Sequence, residues 1–345
     1  MTTSIPPAPQ EILDRILAAA VPYEFQTFVV GFSRPEDYLR EDHEARFRAL
    51  KVAVGDELLR RWAGKEVDFG HPEVRFDVQA DLTVRVKPAP MFIAGRYRKL
   101  SRGIPATKWI HHRCRGQGCH VCGFTGTLCG PSIQEMLEGP VLEATGGLST
   151  LFHGLGREDT DVRMLGRGRP FVLEVHAPLR RRIDPQSIAA AVALRAEELA
   201  WIGGLRLADR EMARAVKTVR AEKTYRALVI TEGTPPANAA ARANAIAGAL
   251  VAQTSPTRVA ARRGRDIVRS RRVLESRWLG SFEGGWLWEV RAEAGTYIKE
   301  LVSGDEGRTR PSLAEALGIP CHCAALDVLE IHWDPPWEEA APDSP

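Results

Sequence analysis

The residues best suited to chemistry form one run, Gly156-Arg157-Glu158-Asp159-Thr160-Asp161-Val162-Arg163-Met164-Leu165-Gly166-Arg167-Gly168-Arg169-Pro170. Its acids, Glu158, Asp159 and Asp161, are interleaved with Arg157, Arg163, Arg167 and Arg169. A carboxylate held among guanidinium groups stays ionised, and a fixed anion in a cleft can act as nucleophile or base. Glycines at 154, 156, 166 and 168 free the backbone to turn tightly or let a ligand approach closely. Residues 171–175 follow as a buried strand, so the polar run lies at a strand entrance, where a rigid scaffold tends to present catalytic groups. The same composition also suits a charged hairpin without chemistry.

Two other stretches set a lysine two residues from a tyrosine. Glu222-Lys223-Thr224-Tyr225 opens an alternating strand, which turns Lys223 and Tyr225 to one face. Gly295-Thr296-Tyr297-Ile298-Lys299-Glu300 reads as a turn into a helix after a strand over 286–294. A fourth cluster is of metal type: His111-x2-Cys114 and Cys119-x2-Cys122 supply two ligand pairs joined by glycines, enough for one tetrahedral, structural zinc. His112, His120 and Cys129 compete for the fourth place. Cys321-His322-Cys323 has a spacing too short for common zinc geometries and reads as a strand with half-buried thiols.

The run at 156–171 resembles the signature of the archaeal and eukaryotic tRNA pseudouridine synthases that modify positions 54 and 55 of the T loop, the Pus-ten family. That resemblance makes Asp159, the Asp of Gly-Arg-Glu-Asp, the nucleophile. Lys223-x-Tyr225 is similar to the strand whose tyrosine stacks on the target uracil, Tyr297 matches a substrate-contacting tyrosine, and Lys299 matches the basic residue that pairs with the aspartate. Pro256-Thr257-Arg258-Val259 with Arg262 and Arg263, and the run 305–313 with Arg308 and Arg310, also look like the family. At the cysteine knuckle His111 stands where the family's first cysteine does. The resemblance covers most of residues 20–335. It implies an isomerase, an intramolecular transferase acting on uridine 54, 55 or both, with no cofactor for catalysis. It implies tRNA, through its T arm, as partner, with no obligatory protein partner, and RNA contacts from Arg157, Arg163, Lys223, Arg258, Arg262, Arg263, Arg308 and Arg310.

The fold so implied is α+β: a pseudouridine synthase domain with a mixed, largely antiparallel sheet flanked by helices, and an N-terminal THUMP-like α+β module. Residues 64–69 are similar to part of that module. Family members commonly begin with a cysteine-bearing zinc segment, and no cysteine precedes Cys114 here.

The elements that must position these groups can be read from pattern. Residues 1–8 are Pro-rich and expected to be disordered. A helix with Ile12, Leu13, Ile16, Leu17 and Ala20 at helical spacing, a strand over 27–32, an amphipathic helix with Phe47, Leu50, Val54, Leu58, Leu59 and Trp62, and two paired strands over 74–78 and 82–86 make a small α+β unit over 9–90. Residues 90–109 read as a basic connector, in which Tyr97 and Trp109 either stack on bases or pack an interface. The expected domains are therefore 9–104, a knuckle at 105–130, a catalytic domain over 131–333 and a flexible tail over 334–345. Within the catalytic domain, Ser132 and Glu135 form a capping box, Gly139-Pro140 should end or kink that helix, and alanine-rich helices are expected over 184–201 and 237–253.

Composition narrows the partners. At 345 residues, with 44% hydrophobic and 26% charged residues, the chain can bury a substantial core as an ordinary protein of two domains. The net charge of +3 is small, but its distribution is uneven. Residues 91–134 hold no acid, and eight arginines between 258 and 277 face only Asp266 and Glu275, the footprint of a protein that tracks a phosphate backbone. No run of about 18 apolar residues or signal-peptide pattern occurs, so no membrane partner is expected. Six cysteines without a disulfide framework point to a reduced cytoplasm. Two other readings stand beside the synthase. One is a tRNA-binding chaperone of the same fold without catalysis. The other, a cofactor-dependent RNA enzyme, is disfavoured because no glycine-rich loop follows a strand.

Overall fold

The computed structural model describes residues 9–33, 41–196, 198–258 and 266–337. Arg262 and Arg263, residues 1–8 and most of the expected tail lie outside them. The chain divides into two compact units, the first comprising residues 1–93, 138–151 and 173–188, the second 94–137, 152–172 and 189–345. No described helix is long and apolar enough to cross a membrane.

The first unit carries a four-stranded sheet of β1 (Thr27–Phe32), β2 (Glu66–Val67), β3 (Val74–Val78) and β4 (Val84–Pro88) in the order β2-β1-β3-β4. β1 runs parallel to β2 and β3, which requires a crossover, supplied by the helix Glu41–Arg61; β3 and β4 are antiparallel. The helix Pro9–Ala20 turns Ile12, Leu13, Ile16 and Ala20 into a shared core with Val54, Leu58, Val74, Phe76 and Val78. Phe25 and Phe28 meet Trp62 edge to face at centroid distances of 5.1 and 4.8 Å. Such pairs add about 0.5–1.5 kcal/mol each beyond their area, a useful increment in a unit this small.

The second sheet has ten strands. In chain order they are β5 (Met91–Lys99), β6 (Ser149–Gly154), β7 (Val162–His176), β8 (Ala200–Ala208), β9 (Glu222–Thr231), β10 (Leu250–Gln253), β11 (Arg269–Phe282), β12 (Gly285–Ala292), β13 (Thr309–Arg310) and β14 (Cys321–His332). Their spatial order is β13-β10-β11-β12-β9-β14-β7-β5-β8, with β6 paired to β7. The ladder through β10, β11, β12, β9 and β14 is antiparallel and β14 pairs with β7 in parallel, so the sheet is mixed and mostly antiparallel, as expected. Its centre is built on Trp288, wholly buried, whose indole N–H donates to Ser276 Oγ at 2.8 Å while that hydroxyl donates to Ala243 O at 2.7 Å, leaving no polar atom of the trio orphaned.

Three local expectations need correction. Residues 91–99 are not a connector but the strand β5, in which Tyr97 and Lys99 are fully buried and Arg96 is 7% exposed. Charge masked the strand, and the charges are buried because each finds a partner. Residues 237–253 are not one helix: a short helix Ala239–Asn244 stops before Gly248, at φ 81°, and β10 follows because the edge between β11 and β13 needs a strand. The helix from Pro185 ends at Ala196, and β8 takes Trp201. Of the two outcomes expected at Gly139-Pro140, an end or a kink, the end does not occur, since Pro140 sits inside the helix Ile133–Thr145. The capping box at Ser132 and Glu135 is present, with Ser132 N–H and hydroxyl both donating to Glu135.

Gly166 and Gly168 of the acidic run lie within β7. A Cβ on Gly166 would sit 1.9 Å from Leu329 O, and one on Gly168 2.7 Å from Tyr97 O. Both have positive φ, 56° and 85°, so these glycines serve close strand packing, not approach of a ligand.

Candidate active site

The turn that enters β7 is held from beneath. Lys99, fully buried, donates its three ammonium protons to Ile104 O (2.8 Å), Asp159 O (2.8 Å) and Thr160 O (3.1 Å). Its Nζ also lies 3.6 Å from Glu158 Oε1. Glu158 turns inward to meet Arg169 Nε at 2.9 Å and the hydroxyl of Tyr97 at 3.2 Å. Burial lowers the Lys99 ammonium from its ordinary value, and Glu158 partly restores it. Burial likewise opposes the Arg169 charge, but Glu158, Tyr97 and Tyr225 together outweigh it and hold the guanidinium above its usual range. An interior charge survives only when so matched.

Asp159, the next residue, points outward. Its Oδ2 accepts from Arg258 Nη1 at 2.8 Å and lies 3.4 Å from Lys299 Nζ. Lys299 makes its shorter contacts to Asp161, at 2.7 and 2.9 Å. Burial would raise the Asp161 carboxyl, but the Lys299 bond and charge hold it below the ordinary carboxylate value. Arg258 bridges to the buried Glu300, Nε to Oε1 at 2.6 Å, so the arginine is fixed on both sides. Half-exposed ion pairs of this kind contribute about 0–1 kcal/mol, so they orient the carboxylate more than they stabilise the fold.

Asp159, Arg157, Glu158, Arg169, Lys223, Tyr225, Arg258, Tyr297 and Lys299 line a single cleft of about 230 Å³ whose floor includes Val162, Leu326 and Val328. Tyr225 enters from β9, 9% exposed, and burial pushes its phenol up to about 12. Lys223 lies two residues earlier on the same strand face; burial, then the nearby Arg169, push its ammonium down to about 8. Tyr297 precedes the short helix Ile298–Ser303 that carries Lys299. Its backbone is clamped by the side-chain amide of Gln253: Tyr297 N–H donates to Oε1 and Nε2 donates to Tyr297 O, both at 2.9 Å. Gln253 is 1% exposed and ends β10, so the edge of the sheet sets the height of the tyrosine.

The remaining sequence candidates divide. Arg157 is exposed at the rim of the cleft. Arg163 does not face the cleft: it makes a two-pronged pair with Asp327 of β14, at 2.9 and 2.5 Å. Arg308 binds Ser255 O at 2.9 Å and Asp266 at 2.5 Å, and Arg310 is exposed. Tyr97, considered as a base-stacking residue, is in the core, and Trp109 is 46% exposed. Sequence reasoning missed Lys99, Gln253 and Glu300 as positioning groups because each stands outside any motif, and it named Glu158 and Arg169 within the acidic run without separating their buried role from that of Asp159. The neighbouring Glu and Asp in Gly-Arg-Glu-Asp were the available signal, since two adjacent acids on a turn must face different ways.

His111, Cys114, Cys119 and Cys122 bring four ligand atoms within 4.8 Å of one another. The Cys119–Cys122 and Cys114–Cys122 sulfur separations are 3.8 and 4.0 Å, and His111 Nδ1 lies 3.3 and 3.6 Å from Cys114 and Cys119. A tetrahedron with metal–sulfur bonds of about 2.3 Å has sulfur–sulfur edges of about 3.8 Å, so this set fits zinc. Burial alone would raise the Cys122 thiol, but N–H donation from Cys119 and Gly126 brings it down to about 7. His112, His120 and Cys129 are not part of the cluster.

A family model described as Pus10, C-terminal, matches residues 92–332. A Methanothermobacter marburgensis protein named tRNA pseudouridine synthase Pus10 is 41% identical over 321 residues, 89% of this chain and 79% of that protein. A protein of the same name from Methanothrix thermoacetophila is 38% identical over 336 residues, 93% of this chain and 74% of its own. Among solved structures, a Cbf5-Nop10-Gar1 complex aligns at 20% identity and TM-score 0.36 over 59% of this chain, which spans less than half, 46%, of that structure's chain. Motif order, the cleft and the match over residues 92–332 agree, and the chain belongs to the Pus10 family.

Proposed function

We propose that this protein is a tRNA pseudouridine synthase that isomerises uridine 54, uridine 55 or both in the T loop, with Asp159 as its reactive carboxylate. The observation that carries this reading is the meeting, in one cleft, of Asp159, Tyr225, Tyr297 and Lys299, drawn from three separated stretches of a Pus10-family chain. The reaction breaks the C1′–N1 bond, turns the detached uracil and joins C5 to C1′. A base in a stacked loop is out of reach, so the nucleotide must first be everted into the cleft. Asp159 then attacks the ribose or takes its 2′ proton, held in place and aimed by Arg258 and Lys299. Tyr225 stacks on the loose uracil, and its high phenol value keeps it neutral, so no charge is set against the ring. Tyr297 covers the other side. Arg157 and Arg310, both exposed, with Arg262 and Arg263, grip phosphates of the T arm.

The finer expectations follow the same reading. The α+β unit of β1 to β4 serves as a THUMP-like docking module, His111, Cys114, Cys119 and Cys122 hold one structural zinc, and the protein acts in the cytoplasm. An unmodified tRNA transcript incubated with the protein alone should gain pseudouridine at position 54, 55 or both. Asp159→Ala should abolish this while tRNA binding survives; binding without any conversion by the parent protein would favour a non-catalytic tRNA chaperone and overturn the proposal.

A further inference from the structure

One proton transfer in this isomerisation is left without an agent by Asp159, Tyr297 and Lys299. When C5 has bonded to C1′ it still carries its original hydrogen. The ring regains conjugation only when that hydrogen departs as a proton, its bonding pair returning to the ring, while N1, which has lost C1′, takes up a proton. Bonds and charges then balance without any co-reactant. As the C5–H bond breaks it must stand nearly perpendicular to the ring, so the accepting base has to lie against a face of the uracil and not at its edge.

The groups of the cleft can be taken in turn. Asp159 is tied to Arg258 and Lys299 and committed to the ribose. Lys299 is paired with Asp161. Arg169 is sealed against Glu158, and a guanidinium does not give up its proton. Tyr225 has a phenol at about 12, so its phenolate is scarce near neutrality. Lys223 remains. It lines the cleft, its ammonium donates to Ala221 O at 3.1 Å, and it pairs with no carboxylate among the described residues. It projects from the strand face that carries Tyr225, two residues or about 6.6 Å away, a span the lysine stem can cover. It therefore approaches the uracil from the side on which Tyr225 stacks.

We propose that Lys223, as the free amine, removes the C5 proton of the rearranged uracil. This rests on the reading of the Asp159 cleft as that of a pseudouridine synthase. The environment suits the role: burial and the guanidinium of Arg169 disfavour the ammonium, bringing it to about 8, where a base is strong enough to take a proton and still free to do so near neutral pH. The RNA contact that the resemblance implies for Lys223 makes the opposite demand where it meets a phosphate, because a phosphate partner favours the ammonium.

The test compares two transcripts, one with uridine and one with 5-fluorouridine at the target position. Fluorine cannot leave C5 as a cation, so with the second RNA the reaction stops once the C5–C1′ bond has formed and no base is required. Lys223→Met and Lys223→Arg should each slow pseudouridine formation from uridine by about 10²–10⁴-fold, and both should still form the rearranged 5-fluoro product at the parent rate. The parent's uridine rate should rise with pH through about 8, and Lys223→Arg should lose that rise. Equal loss on both RNAs, or weakened tRNA binding with unchanged turnover, would make Lys223 a structural or phosphate-binding residue and overturn the inference alone. Absence of either product from the parent protein would overturn the functional reading and this inference together.

Discussion

Glu158 and Asp159 are neighbours in the chain with opposite surroundings: the Glu158 side chain is 2% exposed and sealed against Arg169, and the Asp159 side chain is 44% exposed beside Arg258. The first holds the turn and the second faces the cleft. Removing the inner carboxylate leaves Arg169 and Lys99 buried without their counter-charge. Glu158→Gln should therefore cost about 3–5 kcal/mol of folding stability, measured by urea unfolding, whereas Asp159→Asn should stay within about 0.5 kcal/mol of the parent. Similar losses for both would refute this division of labour.

Gln253 touches no substrate in this reading, yet both ends of its amide hold the backbone of Tyr297. Gln253→Leu keeps the volume and removes both bonds, at about 1–3 kcal/mol. Turnover should fall while tRNA affinity, set mainly by phosphate contacts, stays unchanged. A drop in affinity with turnover intact would show that the clamp does not set the tyrosine.

The cysteine knuckle should hold one zinc per chain in reductively purified protein. Cys119→Ser or a chelator should release it and expose residues 111–126 to proteolysis, while the sheet persists, since the knuckle closes on itself through a bridge of Ile110 with Thr127 and supplies no strand to the ladder. Metal analysis that finds no zinc would reject the assignment.

Lys223 makes stability depend on pH in a stated direction. Its ammonium sits at about 8 in the folded protein against an ordinary 10.5, so between those values the unfolded chain binds the extra proton. The parent should gain up to about 3 kcal/mol as pH rises across that window, the penalty being complete below it. Lys223→Met takes no proton, so its stability advantage should be full at pH 7 and shrink towards pH 10. Urea midpoints of the two proteins at those pH values check this, and an offset that does not change with pH would count against it.

The cleft was more legible in the sequence than the sheet that builds it. Asp159, Tyr225, Tyr297 and Lys299 sit in motifs with fixed spacing, and the structure brings them together. The alternation of β9 and the pairing of β3 with β4 were visible because each strand has one wetted face. β5 was not, because both of its faces are covered and its buried cations are hydrogen-bonded by partners far along the chain, Arg96 donating to Gly168 O and Lys99 to Asp159 O. The helix expected over 237–253 failed for a related reason: alanine content is a local preference, and an open sheet edge outweighed it. Arg258 was assigned to phosphate from its basic neighbours, although its contacts are with Asp159 and Glu300.

Gly166 and Gly168 flank Arg167 on β7, one abutted by the peptide oxygen of Leu329 and the other by that of Tyr97. Any side chain at either position would wedge adjoining strands apart, and the distortion would travel up the chain to Asp159. A random screen for inactive forms should therefore recover glycine replacements that mimic the loss of a catalytic group, although neither glycine borders the cavity.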